Sequence, residues 1–188
     1  MPKVDQAHLD ARRQQIVEAA RTRFADQGFA GTSMADIVAE AGLSIGAIYR
    51  YFRSKEEVVI AVCEQGSSAF PEALTAAAID DFLEHTRTLA RETGHARLVA
   101  QIYAEAALSP ALADVVQRQL TALRDKVMDL MPGVRDVRAE QVAEAFVAIC
   151  VGYSQQLAVC GDVDSAPFSA ALTTMIGGVD DQTPSHKL

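Results

Sequence analysis

The sequence predicts an all-α fold, with an N-terminal three-helix helix-turn-helix domain followed by a six-helix bundle. Apolar residues recur at the spacing of a helix surface along nearly the whole chain, and almost no segment alternates as a strand does. Glycine and proline stand where one helix must end before the next begins. With 188 residues, 49% of them hydrophobic, the chain can form a substantial core.

Charge divides the chain into two regions. Residues 1–55 contain eight Lys and Arg against six Asp and Glu, a balance of +2, and residues 56–188 contain nine against nineteen, a balance of −10. Together they give the net charge of −8. A basic region suits a polyanion such as DNA, although an excess of two charges is also compatible with ordinary scatter. We expect domains at 1–55 and 56–178, and a disordered polar tail at 179–188.

The first two helices have clear ends. The first is predicted at residues 9–27, with Gly28 as its stop. The second follows Ser33, where Asp36 three residues later forms a near capping box with Asp in place of Glu or Gln. It ends at Gly42 after about two turns.

The third helix is predicted at residues 45–52, where Ser44 can cap it. Ser54 and Glu57 then form a full capping box that begins the first of the six bundle helices. Gly177 and Gly178 are expected to close the last one. The bundle helices are predicted at 54–67, with a possible continuation past Pro71, and at 80–93, 95–108, 110–131, 138–160 and 167–176.

The stretch Gly42-Leu43-Ser44-Ile45-Gly46 matches the G-x-S-x-G pattern of a hydrolase nucleophile elbow. That elbow needs a strand before the serine, so that a parallel sheet presents it. The preceding residues, MADIVAEA, have the pattern of a helix. We therefore predict no catalytic residue here and no enzymatic activity.

A short helix, a tight turn through Gly42 and a second short helix are typical of a helix-turn-helix. Ile37 and Val38 of the first helix, with Ile48 and Phe52 of the second, can pack inward. The outward residues are then Ile45, Gly46, Ala47, Tyr49 and Arg50. A generic helical hairpin with exposed tyrosines is the alternative.

The outward residues suit the major groove of DNA. Gly46 and Ala47 allow a close approach to base edges, and Arg50 supplies a bidentate donor. Tyr49 and Tyr51 can reach phosphates. Lys55 places a cation beside the free N–H groups of the next helix, which predicts a phosphate contact. The predicted DNA-contact set is Ser33, Ser44, Ile45, Gly46, Ala47, Tyr49, Arg50, Tyr51 and Lys55.

The segment TSMADIVAEAGLSIGAIYRYFRSKEEV, residues 32–58, resembles the DNA-binding domain of TetR-family transcriptional repressors. The resemblance rests on an I-A-x-x-A-G-V-S-like core, the Y-x-x-F spacing of Tyr49 and Phe52, and the S-K-E that follows. Ile45 stands where many members carry a polar or basic residue, which leaves contact with a thymine methyl group as its role. Arg50, often aromatic in the family, is expected to carry more of the base readout.

The resemblance implies a homodimer formed by the last two helices. The segment 143–160 agrees, because it is apolar nearly all round and a helix of that kind is buried on two sides. The core helix of a monomer is the alternative. The expected dimer contacts are Val147, Val151, Ser154, Ala158, Phe168, Leu172 and Met175.

The resemblance also implies that an unidentified small-molecule effector binds the helical bundle and that the dimer binds palindromic operator DNA. An apolar lining with a few polar groups suits such a pocket. The candidates are Phe70, Phe82, His85, Tyr103, Phe146 and Tyr153.

Other functions find little support. Cys63, Cys150 and Cys160 form no disulfide framework, which favours a reduced, cytoplasmic setting. Neither a metal-ligand spacing nor a nucleotide-binding motif occurs, so no metal or cofactor is expected. No apolar run of about 18 residues predicts a membrane span. The rival functions are an enzyme that uses the bundle and an architectural or interaction protein that senses no ligand.

Overall fold

The computed structural model describes residues 6–65, 70–131 and 137–180, and regular structure in these ranges is helical throughout. This confirms the all-α prediction. The helices are α1 (Gln6–Gly31), α2 (Met34–Ala41), α3 (Ile45–Ile48), α4 (Lys55–Gln65), α5 (Ala76–Thr93), α6 (His95–Ala106), α7 (Pro110–Leu130), α8 (Val137–Cys160) and α9 (Ala166–Asp180).

The predicted ends of α1 and α2 are confirmed. Gly28 breaks α1 with φ 79° and ψ 165°, a conformation that favours glycine, and one further turn follows it. Ser33 caps α2, and both hydrogen bonds of its capping box with Asp36 are present. Gly42 ends α2 in the left-handed region at φ 62°.

The predicted third helix is too long. Regular α-helix ends at Ile48, because the N–H groups of Arg50 and Tyr51 bond to carbonyls three residues back and tighten the chain into a turn. The box before α4 is also shifted. Ser54 accepts from the Glu57 N–H, but the Glu57 carboxylate accepts from the N–H of Arg53, one residue before the cap.

Two predicted boundaries in the bundle are wrong. α5 begins at Ala76, four residues before the predicted start. α9 runs through Gly177 and Gly178 to Asp180, because glycine inside a helix costs only about 1 kcal/mol and does not prevent one. Residues 66–69 lie outside the described residues, as do 181–188, most of the predicted disordered tail.

The described chain forms two compact units, which differ from the predicted division at residue 55. The head unit consists of residues 6–65 and 93–116, and the body unit of residues 70–92 and 117–180. α4 and α6 therefore belong with the helix-turn-helix. The reason is a shared core, since Val58, Val62 and Leu98 are buried in the same cluster as the residues of α1 to α3.

The core of the head unit fixes which faces of α2 and α3 point outward. Ile37, Ile48 and Phe52 are buried and Val38 is partly buried, as predicted. Fully burying an isoleucine contributes about 1.5–3 kcal/mol, so rotating α3 to expose Ile48 would be costly.

α8 is the core helix of the body unit. By length and composition alone it is apolar enough to cross a membrane. In the structure its buried residues recur along the helix, and Phe146 and Tyr153 are fully enclosed. α9 packs against it, with the Phe168 ring centroid 4.6 Å from that of Tyr153.

Candidate nucleic-acid interface

Side chains of α1 hold α2 in place. The Gln15 amide donates a 2.8 Å hydrogen bond to the carbonyl of Ala41, at the end of α2. Arg23 lies 3.7 Å from the Asp36 carboxylate and 3.9 Å from that of Glu40. These contacts join polar groups at both ends of α2, so the helix can neither slide nor rotate without breaking them.

The outward face of α3 matches the prediction. Ile45 is 57% exposed and Tyr49 47% exposed, and both are large apolar side chains that a folded domain would ordinarily cover. Gly46 and Arg50 are exposed and Ala47 is half-buried. Apart from its chain neighbours and the backbone of its own helix, no atom lies within 4 Å of the point where a Cβ on Gly46 would stand, so a flat surface can approach the backbone closely.

The two predicted serines act as helix caps. The Ser44 hydroxyl accepts from the Ala47 N–H at 3.3 Å and begins α3. The Ser33 hydroxyl donates to the Asp36 carboxylate at 2.6 Å, and the hydrogen bonds from Ser33 lower the pKa of that carboxyl. Both serines stay exposed, and their first effect is to define where α2 and α3 start.

Lys55 is placed differently from the prediction. Its ammonium donates to the carbonyls of Phe29 at 2.7 Å and Thr32 at 2.9 Å, and it lies 4.1 Å from the centre of the Phe29 ring. The cation is therefore held by the connection between α1 and α2 rather than standing free at the start of α4, which corrects the basis of that prediction. Tyr51 is also partly withdrawn, since its ring packs against the core of the head unit.

Some residues that support this surface were not predicted from the sequence. Arg13 of α1 lies over the Phe52 ring at 5.2 Å and supports the turn after α3. Gln101 of α6 accepts from the Phe29 N–H at 2.9 Å. Neither contact has a local signal, because glutamine and arginine on a helix surface are ordinary until the partner element is known.

Three of the six predicted effector residues come together in the body unit. The Phe70 ring lies 5.7 Å from Phe82 and 6.0 Å from Phe146, and Lys126 lies 5.1 Å above Phe70. Tyr153 is buried apart from this cluster. Its hydroxyl donates to the Val163 carbonyl at 3.1 Å, and burial raises its pKa to about 12.

The other two predicted effector residues lie elsewhere. His85 is exposed and does not line an interior. Tyr103 belongs to the head unit. A small cleft of the head unit contains none of the six predicted residues. It is lined by Phe24, Phe29, Val59, Val62, Leu98, Gln101, Ile102 and Glu105.

Two predicted dimer contacts are corrected by their burial. Val147 is 4% exposed and Leu172 is fully enclosed, so neither side chain offers surface to a partner. The remaining members of that set are half-buried and keep part of their surface: Val151, Ser154, Ala158, Phe168 and Met175.

The thiols have no metal-binding neighbourhood in the part of the chain that the structure describes. No group of three His, Cys, Asp or Glu residues there is placed to hold an ion. Burial raises the pKa of Cys63 and of Cys150 to about 12, so both thiols stay protonated and unreactive near neutral pH.

A short exposed helix with an open N-terminal half, fixed by a glycine turn on a second short helix, defines a helix-turn-helix DNA-binding protein. The profile of bacterial regulatory proteins of the tetR family matches residues 16–62. The transcriptional repressor Rv1474c of Mycobacterium tuberculosis is 33% identical over 149 residues, which are 70% of this chain and 78% of that protein. The chain belongs to the TetR family and is a DNA-binding transcriptional regulator, not an enzyme.

Two further comparisons differ in how much they cover. The uncharacterized regulator YfiR of Bacillus subtilis is 46% identical over 65 residues, but this match covers only 35% of this chain and 32% of that protein. The structure of GusR from Salmonella enterica is 27% identical with a TM-score of 0.68, and the match covers 95% of this chain and 98% of that one. The likeness in fold therefore extends beyond the helix-turn-helix.

Proposed function

We propose that this regulator is a repressor that binds a palindromic operator as a homodimer and is released by a small-molecule effector. The observation that carries the proposal is the solvent-facing surface of α3 and the turn after it, where Ile45, Gly46 and Arg50 are exposed. The repressor name of the Mycobacterium relative supports the direction of regulation. A role in DNA binding implies a cytoplasmic location.

Base readout is divided between an apolar and a charged contact. Gly46 lets the start of α3 approach the base edges, and Ile45 beside it can cover a thymine methyl group. Arg50 lies about one turn further along, where its guanidinium can donate two hydrogen bonds to guanine. Tyr49 lies between them on the same exposed face and can reach the phosphate backbone.

Arg50→Ala tests this division. The variant should lose about 1–3 kcal/mol of binding per half-site and relax the preference at one base position. The measurement is binding-site selection from random duplex DNA, followed by titration of the recovered site. Arg53→Ala is the matched control, because Arg53 is also exposed and lies just beyond the turn that follows α3. If Arg50→Ala kept every base preference and lost only salt-dependent affinity, Arg50 would contact phosphate instead.

Dimerisation is proposed through the exposed parts of α8 and α9. Val151 retains exposed surface on α8, and an arginine there would bury an unpaired charge if a partner covers this face. Val151→Arg should therefore dissociate the dimer in sedimentation experiments. Val137→Arg makes the same change at an exposed position at the start of α8, and it should leave the dimer intact. A dimeric Val151→Arg protein would move the interface elsewhere.

Effector binding is proposed at the aromatic cluster of Phe70, Phe82 and Phe146 in the body unit. Its rings suit an apolar or amphipathic molecule, and the nearby Lys126 ammonium suits one that carries an anionic group. Compounds that raise the thermal unfolding temperature of the wild type, but not of Phe82→Ala, would identify candidates. Coupling is reciprocal, so each should weaken operator binding by the factor by which operator weakens its own binding. A compound bound at the cluster that leaves operator affinity unchanged would contradict this role for it.

A further inference from the structure

The peptide groups around Phe29 are held by side chains from two other helices of the head unit. The break at Gly28 takes Phe29 out of the regular hydrogen-bond ladder of α1. Its N–H donates to the side-chain amide oxygen of Gln101 on α6 at 2.9 Å, and its carbonyl accepts from the Lys55 ammonium of α4 at 2.7 Å. The connection between α1 and α2 is therefore bonded on both sides of Phe29 by side chains from α4 and α6.

Lys55 extends this tie to the start of α2. The same ammonium also bonds the Thr32 carbonyl at 2.9 Å and lies against the Phe29 ring. Thr32 is buried, and its hydroxyl bonds back to the Gly28 carbonyl at 2.8 Å. Thr32 directly precedes Ser33, the residue that caps α2. The Lys55 nitrogen thus helps to position the residue that precedes the cap of α2.

The DNA-facing helix α3 is connected to this region through α2. α2 has eight residues and is joined to α3 by the turn at Gly42. A shift at the start of α2 therefore carries over to α3, and small misplacements matter because base contacts need hydrogen-bond geometry.

We infer that Lys55 and Gln101 are positioning residues for DNA binding, which act by holding Phe29 and the start of α2, and that neither contacts DNA. This differs from a phosphate clamp in one measurable respect. A lysine on phosphate releases counterions when it binds, whereas a lysine on backbone carbonyls does not, although removal of either lysine lowers affinity.

The experiment measures affinity as a function of salt for the full-length protein on the duplex that the wild type selects from random DNA. Lys55→Met should weaken binding to that duplex by about tenfold at fixed salt, since charge-assisted hydrogen bonds are strong, and leave the slope of log K against log salt unchanged. A slope reduced in magnitude by about 0.9 per half-site would show that Lys55 neutralises a phosphate, and it would overturn the inference. Unchanged affinity together with an unchanged slope would overturn it too.

Arg118→Met is the matched control for the removal of charge. Arg118 is exposed on α7 in the body unit, and its removal changes the net charge by the same amount. It should alter neither affinity nor slope. An equal effect in both variants would assign the weaker binding to net charge and contradict a local role for Lys55.

Gln101 provides a second test that keeps the charge of Lys55 and does not depend on the folding of the Lys55 variant. Gln101→Leu removes the acceptor for the Phe29 N–H and should lower specific affinity, whereas Gln101→Glu keeps an acceptor oxygen and should restore most of it. Both should stay folded, as checked by circular dichroism at the binding temperature. Equal affinities for the two variants would overturn the positioning role. Failure of the wild type to select any site would contradict the proposed operator binding instead, so the two ideas fail separately.

Discussion

The head unit and the body unit fix their helices by different means. In the head unit, α2 and α3 have eight and four residues, and side chains of longer helices bond directly to backbone groups at their ends, as Gln15 does at Ala41. In the body unit, α8 has 24 residues and buries side chains along its length, and its polar contacts, such as Arg124 with Glu144 and the Tyr153 hydroxyl with the Val163 carbonyl, add to that packing. A helix of one or two turns buries too little area to be fixed by packing alone.

The difference also explains which apolar side chains remain exposed. Ile45 and Tyr49 are uncovered on a helix whose orientation is set by the buried Ile48 and by the turn at Gly42 that joins it to α2. Because only the inner face of α3 is packed, its outer face stays exposed to solvent. In the body unit, by contrast, aromatic rings pack against one another.

The largest expected effect tests the dependence of the body unit on packing. Phe146→Ala removes a fully buried ring and should lower the free energy of unfolding by about 3–5 kcal/mol, through reduced burial and the cavity left behind. Phe70→Ala removes a half-buried ring of the same cluster and should cost less. Urea denaturation followed by circular dichroism measures both. An equal cost would mean that contact within the cluster, rather than depth of burial, determines its contribution.

An intermediate effect separates the two glycines of the helix-turn-helix. Gly42→Ala should destabilise the protein by about 1–2 kcal/mol, because φ is 62° there and the added Cβ is strained by the backbone alone. Gly46 has no positive φ, and open space surrounds it, so Gly46→Ala should stabilise the fold by about 0.5–1 kcal/mol. Gly46→Ala should nevertheless weaken operator binding, since the methyl group separates α3 from the bases. Thermal unfolding and DNA titration of both variants check this, and unimpaired DNA binding by Gly46→Ala would contradict the close approach.

The smallest effect concerns the surface ion pair of the body unit. Arg87 donates to both oxygens of Asp162, at 2.6 and 3.0 Å, and these hydrogen bonds lower the pKa of that carboxyl. A lowered folded pKa stabilises the protein above the pKa of the unfolded carboxyl, about 3.9, and this contribution is lost as pH falls through the folded value. Asp162→Asn should therefore reduce stability at neutral pH and make it less sensitive to acid. Melting temperatures between pH 3 and pH 7 test this, and identical profiles would mean that the pair contributes nothing.

Much of the helix-turn-helix could be predicted from the sequence because its signals are local. The cap at Ser33, the stop at Gly42 and the cap at Ser44 each act within four residues, and the backbone geometry follows from the residue types. The spacing of Ile37 and Ile48 then decides which faces turn inward. This is why the exposure of Ile45 and Tyr49 was predictable without knowledge of the tertiary structure.

The partners of Lys55 and Gln101, and the burial of Val147 and Leu172, depend on packing between segments that are distant in the sequence. The sequence determined that Lys55 begins a helix, but the carbonyls that hold its ammonium belong to residues 26 and 23 positions earlier, and Gln101 lies 72 positions from Phe29. Val147 and Leu172 occupy positions that suit a dimer surface by spacing alone, and only the contacts between α8 and α9 put them inside. Periodicity identifies the apolar faces of a helix but not which neighbour covers each face. In the same way, the sequence does not show whether a lysine side chain will reach a phosphate or a backbone carbonyl, because that depends on which group the fold brings near it.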